Sequence, residues 1–218
     1  SAQEVTPPSV DTGLTKHPML CRAVNNNLVL VYDERETTTT NYRQYVRTSS
    51  DNGVTWSSAV EIPQNTAASG QVCAVGSTGA MIVLASGRIV CPMYTTNSIW
   101  LMYSDNNGVT WTHGEIASGT ISGDSYSIAE PAITVDKNNG ILISVRSQKA
   151  GFYKKLLYKS TDNGATTQFY RIADELISAS CASSIFYDFE NDLMLHSTPS
   201  NAGAARTKYR LQYSTDNG

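Results

Sequence analysis

One short pattern returns four times along this chain and limits the folds open to it. It reads SSDNGVTW at 49–56, SDNNGVTW at 104–111, STDNGATT at 160–167 and STDNG at 214–218. The box glycines, Gly53, Gly108, Gly164 and Gly218, stand about 55 residues apart, close to the length of one four-stranded sheet with its turns. A unit of that size cannot bury its apolar face alone, so successive copies must stack. Radial stacking of short antiparallel sheets gives a β-propeller.

Each copy has a local physical reading. The Ser and Asp side chains bond to backbone groups of their own turn, the Gly accepts a positive φ, and the Trp packs the turn onto its sheet as a buried plug. Strand-like runs flank the boxes at 42–46 and 58–62, at 99–103 and 112–116, and at 156–159 and 168–172. Further strands are expected at 28–32, 81–84, 88–91, 141–145 and 192–195. The DNG triplets look like calcium loops, but the spaced carboxylates and closing Glu of such loops are absent, so the boxes read as folding devices.

Composition excludes several function classes. With 16% charged residues, twelve Tyr and a net charge of −3, the chain has no basic face for nucleic acid or an anionic membrane. No apolar run is long enough to span a bilayer. Cys21, Cys73, Cys91 and Cys181 form no C-x-x-C pair, and His17, His113 and His196 share no ligand spacing. No metal or other cofactor is expected, and the cysteines read as buried free thiols.

The boxes resemble the Asp-box of sialidases, S-x-D-x-G-x-T-W, with Asn106 in place of Asp in the second copy and Thr167 in place of Trp in the third. That resemblance implies an all-β sialidase-like propeller, six-bladed when complete, of which residues 1–218 supply about four blades. The expectation is then a fragment of a longer propeller, or one that a second segment completes.

Three segments resemble the places where sialidases carry their chemistry. TKHPML at 15–20 followed by LVLVYDER at 28–35 is similar to the opening F-R-I-P segment and the strand after it, with Lys16 at the first Arg position. AEPAITVDKNNGILISVRS places Glu130 ahead of one strand and Arg146 at the end of the next, like the family's Glu and the Arg that follows it. The stretch before the last box points to Arg206, with Arg210 competing on the same strand face. Sialic acid carries a carboxylate on its anomeric carbon, and guanidinium groups grip carboxylates through paired charge-assisted bonds. The resemblance therefore makes Glu130, Arg146 and Arg206 the catalytic set, converging in one cavity, with Lys16, Arg35 and Arg43 as secondary substrate contacts. Blander roles stay open: Glu130 as a turn acceptor before Pro131, and Arg146 as the partner of Asp136 or Asp174.

Departures from the exo-acting pattern are specific. The acid/base Asp is expected just past Arg35, where the chain reads ETTTTNYR, and the Tyr nucleophile falls past Gly218. Phage endosialidases resemble exosialidases in propeller and boxes but lack both groups. The reading that follows is a glycosidase acting on α-sialosides, in its sharper form an endo-cleaving depolymerase of polysialic acid. On that reading the protein is extracellular, secreted or borne on a virion tail, and the tailspike form implies a homotrimer held by segments outside this sequence. A catalytically silent carbohydrate-binding propeller and an exosialidase are the alternatives.

Overall fold

The structure, a computed structural model, describes residues 14–35, 42–65, 74–75, 80–203 and 205–216. Among them every regular element is a β-strand. The first sheet holds β1 (Leu14–Arg22), β2 (Leu28–Arg35), β3 (Tyr42–Ser49) and β4 (Val60–Ile62) in simple antiparallel order. The second is built on β5 (Ala74–Val75), β6 (Ile82–Val83), β7 (Ile89–Thr95), β8 (Ser98–Ser104), β9 (Thr112–His113) and β10 (Ala117–Ser118). There β5 and β6 both pair with β7, so together they form one broken inner strand. A two-stranded ribbon follows, β11 (Thr120–Ile121) with β12 (Asp124–Ser125).

The third sheet, β13 (Ile128–Val135), β14 (Ile141–Ser147), β15 (Lys154–Ser160) and β16 (Gln168–Ile177), repeats the order of the first. The fourth contains β17 (Ser184–Asp188), β18 (Leu193–Pro199) and β19 (Tyr209–Ser214). These are four blades of a propeller. Three apolar layers hold neighbours together: Val29, Val31, Met93 and Trp100 between the first and second blades, Val90, Leu101, Ile128 and Ile143 between the second and third, and Leu142, Leu157, Ile185 and Met194 between the third and fourth. Because β7 and β14 are covered on both faces they read as near-continuous apolar runs instead of alternating ones.

The boxes occupy the turns β3–β4, β8–β9 and β15–β16, between third and fourth strands as their sequence implies. In the first, Ser49 Oγ accepts from Gly53 N–H at 2.8 Å while Asp51 accepts from the Thr55 amide at 2.8 Å and the Thr55 hydroxyl at 2.6 Å. The third repeats this with Ser160, Asp162, Gly164 and Thr166. Asn106 keeps the geometry with one bond reversed: its Oδ1 accepts from Thr110 N–H and its Nδ2 donates to Thr110 Oγ1 at 2.9 Å. The boxes also fasten blades to each other. Gly108, at φ +88, lies so close to Val29 of the preceding blade that a Cβ there would sit 2.7 Å from Val29 Cγ1. In the third box the Ala165 carbonyl accepts from Glu115 N–H, and that of Asn163 from Arg88.

Two expectations need correction. Trp56 and Trp111 are half-buried lids, not buried plugs; Trp111 lies against the first apolar layer and bonds through Nε1 to the Gly108 carbonyl. Glu130 does not precede a strand, because β13 begins at Ile128 and takes Pro131 in its stride. A bulge between Ala129 and Ala132 absorbs the missing N–H of Pro131. Cys21, Cys91 and Cys181 are free thiols, Cys21 half-buried and the other two buried, while Cys73 lies outside the described residues.

Candidate active site

The end of each blade opposite the boxes is where ionisable side chains gather. In the third blade that end carries the start of β13 and the end of β14, paired as Ile128↔Ser147 and Ala129↔Arg146. The bulge turns Glu130 to φ 51 and aims its carboxylate at Arg146. Arg146 Nη1 donates to Glu130 Oε1 at 2.7 Å, and its Nε donates to Ser180 Oγ at 3.3 Å. Ser180 is itself fixed, donating to the Ser147 carbonyl at 2.8 Å. Both members of the ion pair are largely covered, Arg146 17% and Glu130 21% exposed. The other candidates for Arg146 are engaged elsewhere: Asp136 accepts from the amides of Asn138 and Gly140, and Asp174 pairs with Lys154.

The pair is incomplete in a way that matters chemically. Glu130 Oε2 is buried and has no hydrogen-bond partner among the described residues. A guanidinium offers five N–H donors, and two of those on Arg146 are taken. The site thus keeps one open acceptor beside several open donors.

A second cation stands behind it. Lys155 on β15 is 1% exposed, donates to the Cys181 carbonyl at 2.6 Å, and feels both Glu130 and Arg146. Burial pushes its ammonium down to about 8, opposed by Cys181 and Glu130. Next to it His196 is driven down to about 3 by burial and by Lys155, so it is a neutral imidazole whose Nε2 meets Ser144 Oγ at 3.0 Å. Two cations therefore face one carboxylate at this end of the third blade.

Tyr94, at the end of β7, links this group to the first blade. Its ring centroid is 6.3 Å from that of His17, and Glu130, Asp33, Tyr42 and Arg146 all act on its hydroxyl. Burial pushes that hydroxyl up to about 12, leaving a protonated donor at neutral pH. On the far side, His17 Nδ1 lies 2.8 Å from Asp33 Oδ2.

The remaining candidates are dispersed. Lys16 is in register with Asp33, and Arg35 with Leu14 and Tyr42, but their side chains lie outside the described residues, as does the segment 36–41 that follows Arg35. Arg43 alternates with Gln44 along β3; Gln44 turns inward to Asp33, whereas Arg43 pairs with Glu61 on the outer strand β4. Arg206 is exposed in the β18–β19 hairpin, a position equivalent to the β14–β15 hairpin beside Arg146, so both lie at the same end of their blades. It makes no ion pair with a described residue. Arg210 lies within β19, opposite Thr198.

His17, Tyr94, Lys155 and Ser180 were not singled out from the sequence. The signal for His17 was present: KHP in TKHPML and AEP in SIAEPAI are both an ionisable residue before Pro at the start of an inner strand. Lys155, in KKLLYKS, is a charge in a run whose two-sided burial only the neighbouring blade reveals.

A profile described as a BNR repeat-like domain matches residues 6–218. The chain belongs to the BNR repeat-like domain family. This BNR-repeat chain is 25% identical over 135 residues to a sialidase of Clostridium perfringens, an overlap of 56% of this chain and 33% of that protein. The NanB sialidase of Streptococcus pneumoniae superposes on it with a TM-score of 0.78 at 13% identity, over 95% of this chain and 48% of that one. An α-L-arabinofuranosidase of Fusarium graminearum does so with a TM-score of 0.62 at 13% identity, over 93% of this chain and 63% of that one. The chain spans a third of the curated relative and under half of NanB, and at these identities the structural likeness establishes the fold.

Proposed function

We propose that this chain contributes the acid-pairing half of the active site of a sialidase-type glycoside hydrolase, acting on sugars that carry an α-linked sialic acid. The observation that carries the reading is the Glu130–Arg146 pair with Lys155 behind it. A neutral sugar would leave two cations facing one carboxylate. A sialyl carboxylate balances them, accepting from the open N–H donors of Arg146 in the charge-assisted geometry guanidinium favours. Glu130 Oε2, an acceptor with no donor, is placed to take a hydrogen bond from a nucleophile or water at the anomeric carbon. The C. perfringens relative supports the same substrate class.

The sharper form is endo-cleavage of polysialic acid. What supports it is Lys16 at the position where the resemblance expects an Arg, and the absence of any Asp in ETTTTN at 36–41. The test is a time course on oligosialic acid with full-length protein. Endo-action gives intermediate oligomers early, whereas release of monomer alone would return the reading to an exosialidase. In the same assay Arg146→Ala should lose about 2–4 kcal/mol of transition-state stabilisation, roughly 30- to 900-fold in kcat/KM, for one charge-assisted contact. Full activity in that variant, or binding without turnover in the parent protein, would leave only the silent carbohydrate-binding propeller.

A further inference from the structure

The first blade carries, at the same end, a pair built like the one in the third. A bulge between Ala129 and Ala132 puts Glu130 at φ 51 ahead of Pro131; a bulge between Lys16 and Met19 puts His17 at φ 52 ahead of Pro18. In register, Ala129 faces Arg146 and Lys16 faces Asp33. His17 and Asp33 thus hold the positions that Glu130 and Arg146 hold two blades on, with the acid moved to the second strand. A non-glycine residue at positive φ is strained and persists only where its surroundings impose it, which here happens twice in one register.

The surroundings of Asp33 are built to hold an imidazole. Asp33 is fully buried and accepts from Gln44 Nε2 at 3.1 Å and from the Val75 amide at 3.1 Å, in addition to its contact with His17. Gln44 is held in turn by Gln64 Nε2 at 3.1 Å. Both oxygens of Asp33 are therefore fixed before His17 arrives. His17 is 20% exposed at its side chain, and its Nε2 has no partner among the described residues. Tyr94 and Tyr42 flank the ring at 6.3 and 6.4 Å between centroids, and the charges of Glu130 and Arg146 both act on the Tyr94 hydroxyl.

Resting on the sialoside hydrolase reading, we propose that His17 is the proton-transfer residue of this site and Asp33 the positioning residue that holds its Nδ1. Glu130 is poorly placed for that task, since Arg146 occupies one of its oxygens and only an acceptor remains. A carboxylate that fixes one imidazole nitrogen leaves the other free to give and take a proton at the substrate. In the forward step the bond between the anomeric carbon and the leaving oxygen breaks, its electron pair goes to that oxygen, and the oxygen takes the proton from protonated His17 Nε2. In the return step a water oxygen bonds to the anomeric carbon and its proton passes to the neutral Nε2. The sum is one water consumed and one glycosidic bond cleaved, with the imidazole unchanged.

The test is His17→Gln in the full-length protein, assayed on 3′-sialyllactose and on 4-nitrophenyl α-sialoside. A sugar alkoxide needs a proton to leave, whereas a nitrophenolate leaves without one. General acid catalysis contributes about 10²–10⁴-fold, so kcat on sialyllactose should fall by at least about a hundredfold and kcat on the nitrophenyl substrate by less than about tenfold. Asp33→Asn, which keeps the shape, should show the same substrate dependence to a smaller degree and covers the case in which His17→Gln does not fold. Equal losses on both substrates, or none, would overturn the assignment while the hydrolase reading stands. Parent protein inactive on both substrates and on oligosialic acid would overturn the two together, and a parent active on oligosialic acid alone moves the same His17→Gln comparison to oligosialic acid and its 4-nitrophenyl glycoside.

Discussion

Replacing Lys155 by Met tests the electrostatics of the site without touching any group that meets substrate. Met matches the volume of the Lys stem, so the 1% exposed position stays filled and only the ammonium is lost. The ammonium is held at about 8 in the fold against 10.5 for an ordinary Lys, chiefly because burial strips its water. Between those two values the unfolded chain binds the proton that the folded chain has released. Folding therefore becomes more favourable as pH rises through that window. At 1.36 kcal/mol for each pKa step the gain from pH 8 to above 10 is about 3 kcal/mol. Lys155→Met must lack it. At pH 7 the variant escapes the buried charge but leaves the Cys181 carbonyl without its donor, a cost of about 1–3 kcal/mol, so the two stabilities should lie close together. Denaturant titrations of both proteins at pH 7, 8, 9 and 10 should diverge in favour of the parent by about 3 kcal/mol. Burial raises the pKa of Cys21 and Tyr158 as well, but the two proteins share those groups and they cancel in the difference. Parallel pH curves would refute the reasoning, because they would mean that Lys155 reaches water and that no second cation stands behind Arg146.

The boxes should respond to acid unequally. Asp51 is held down at about 2 by the Thr55 hydroxyl, the Thr55 amide and Ser49, so its bonds persist below its ordinary value of 3.8 and fail as pH falls through about 2. Asn106 does not titrate, so amide exchange should show Gly53 and Thr55 losing protection near pH 2 while Gly108 and Thr110 keep theirs; simultaneous loss in both boxes would reject a local cause. Trp111→Ala should destabilise by about 2 kcal/mol, less than the ~3–5 of a fully buried Trp, and lower Tm by roughly 4–8 °C; an unchanged Tm would show that the half-buried lid contributes nothing to the first apolar layer.

The propeller was legible because its signal is redundant. Four boxes at one spacing fix where each blade turns, and the runs between them then have little choice but to pair as antiparallel strands. Glu130 and Arg146 were legible through resemblance, and the structure brings them to 2.7 Å. What stayed hidden depends on events that no local pattern records. Pro131 interrupts most strands, so β13 seemed to begin after Glu130, yet β13 is the edge strand of its sheet and a bulge accommodates the proline and at the same time turns the carboxylate toward Arg146. Lys155 was hidden because a lysine in a strand ordinarily marks a solvated face, and the surface covering it comes from Cys181, 26 residues away. The pairing of His17 with Asp33 was hidden for the same reason as that of Glu130: its geometry belongs to the bulge and not to the alternation of the strand.

A division of labour between the two ends of each blade follows from these placements. The box ends are held by short side-chain-to-backbone bonds and by contacts such as Gly108 against Val29, which tie each turn to the preceding blade. Positive φ occurs at both ends, but at the box ends it falls on Asn, Asp and Gly of turns, Asn52, Asn107 and Asn163 among them, whereas at the opposite ends it falls on His17 and Glu130 inside strands, beside two prolines and a desolvated Lys155. Strain of about 1–3 kcal/mol at a residue survives only where the structure around it leaves no alternative. Inner strands wedged between neighbouring blades provide that constraint, because moving His17 or Glu130 out of its bulge would shift every side chain beyond it by one residue and reverse which face is buried. In β13 this would carry Ile133 out of the layer it fills and into the one on the other face, and in β1 it would expose Met19, both now buried in the layers between blades. The apolar layers therefore do more than stabilise the fold. They lock the register that keeps an imidazole and a carboxylate pointed at the same region from two blades, with Tyr94 of the blade between them as the common neighbour.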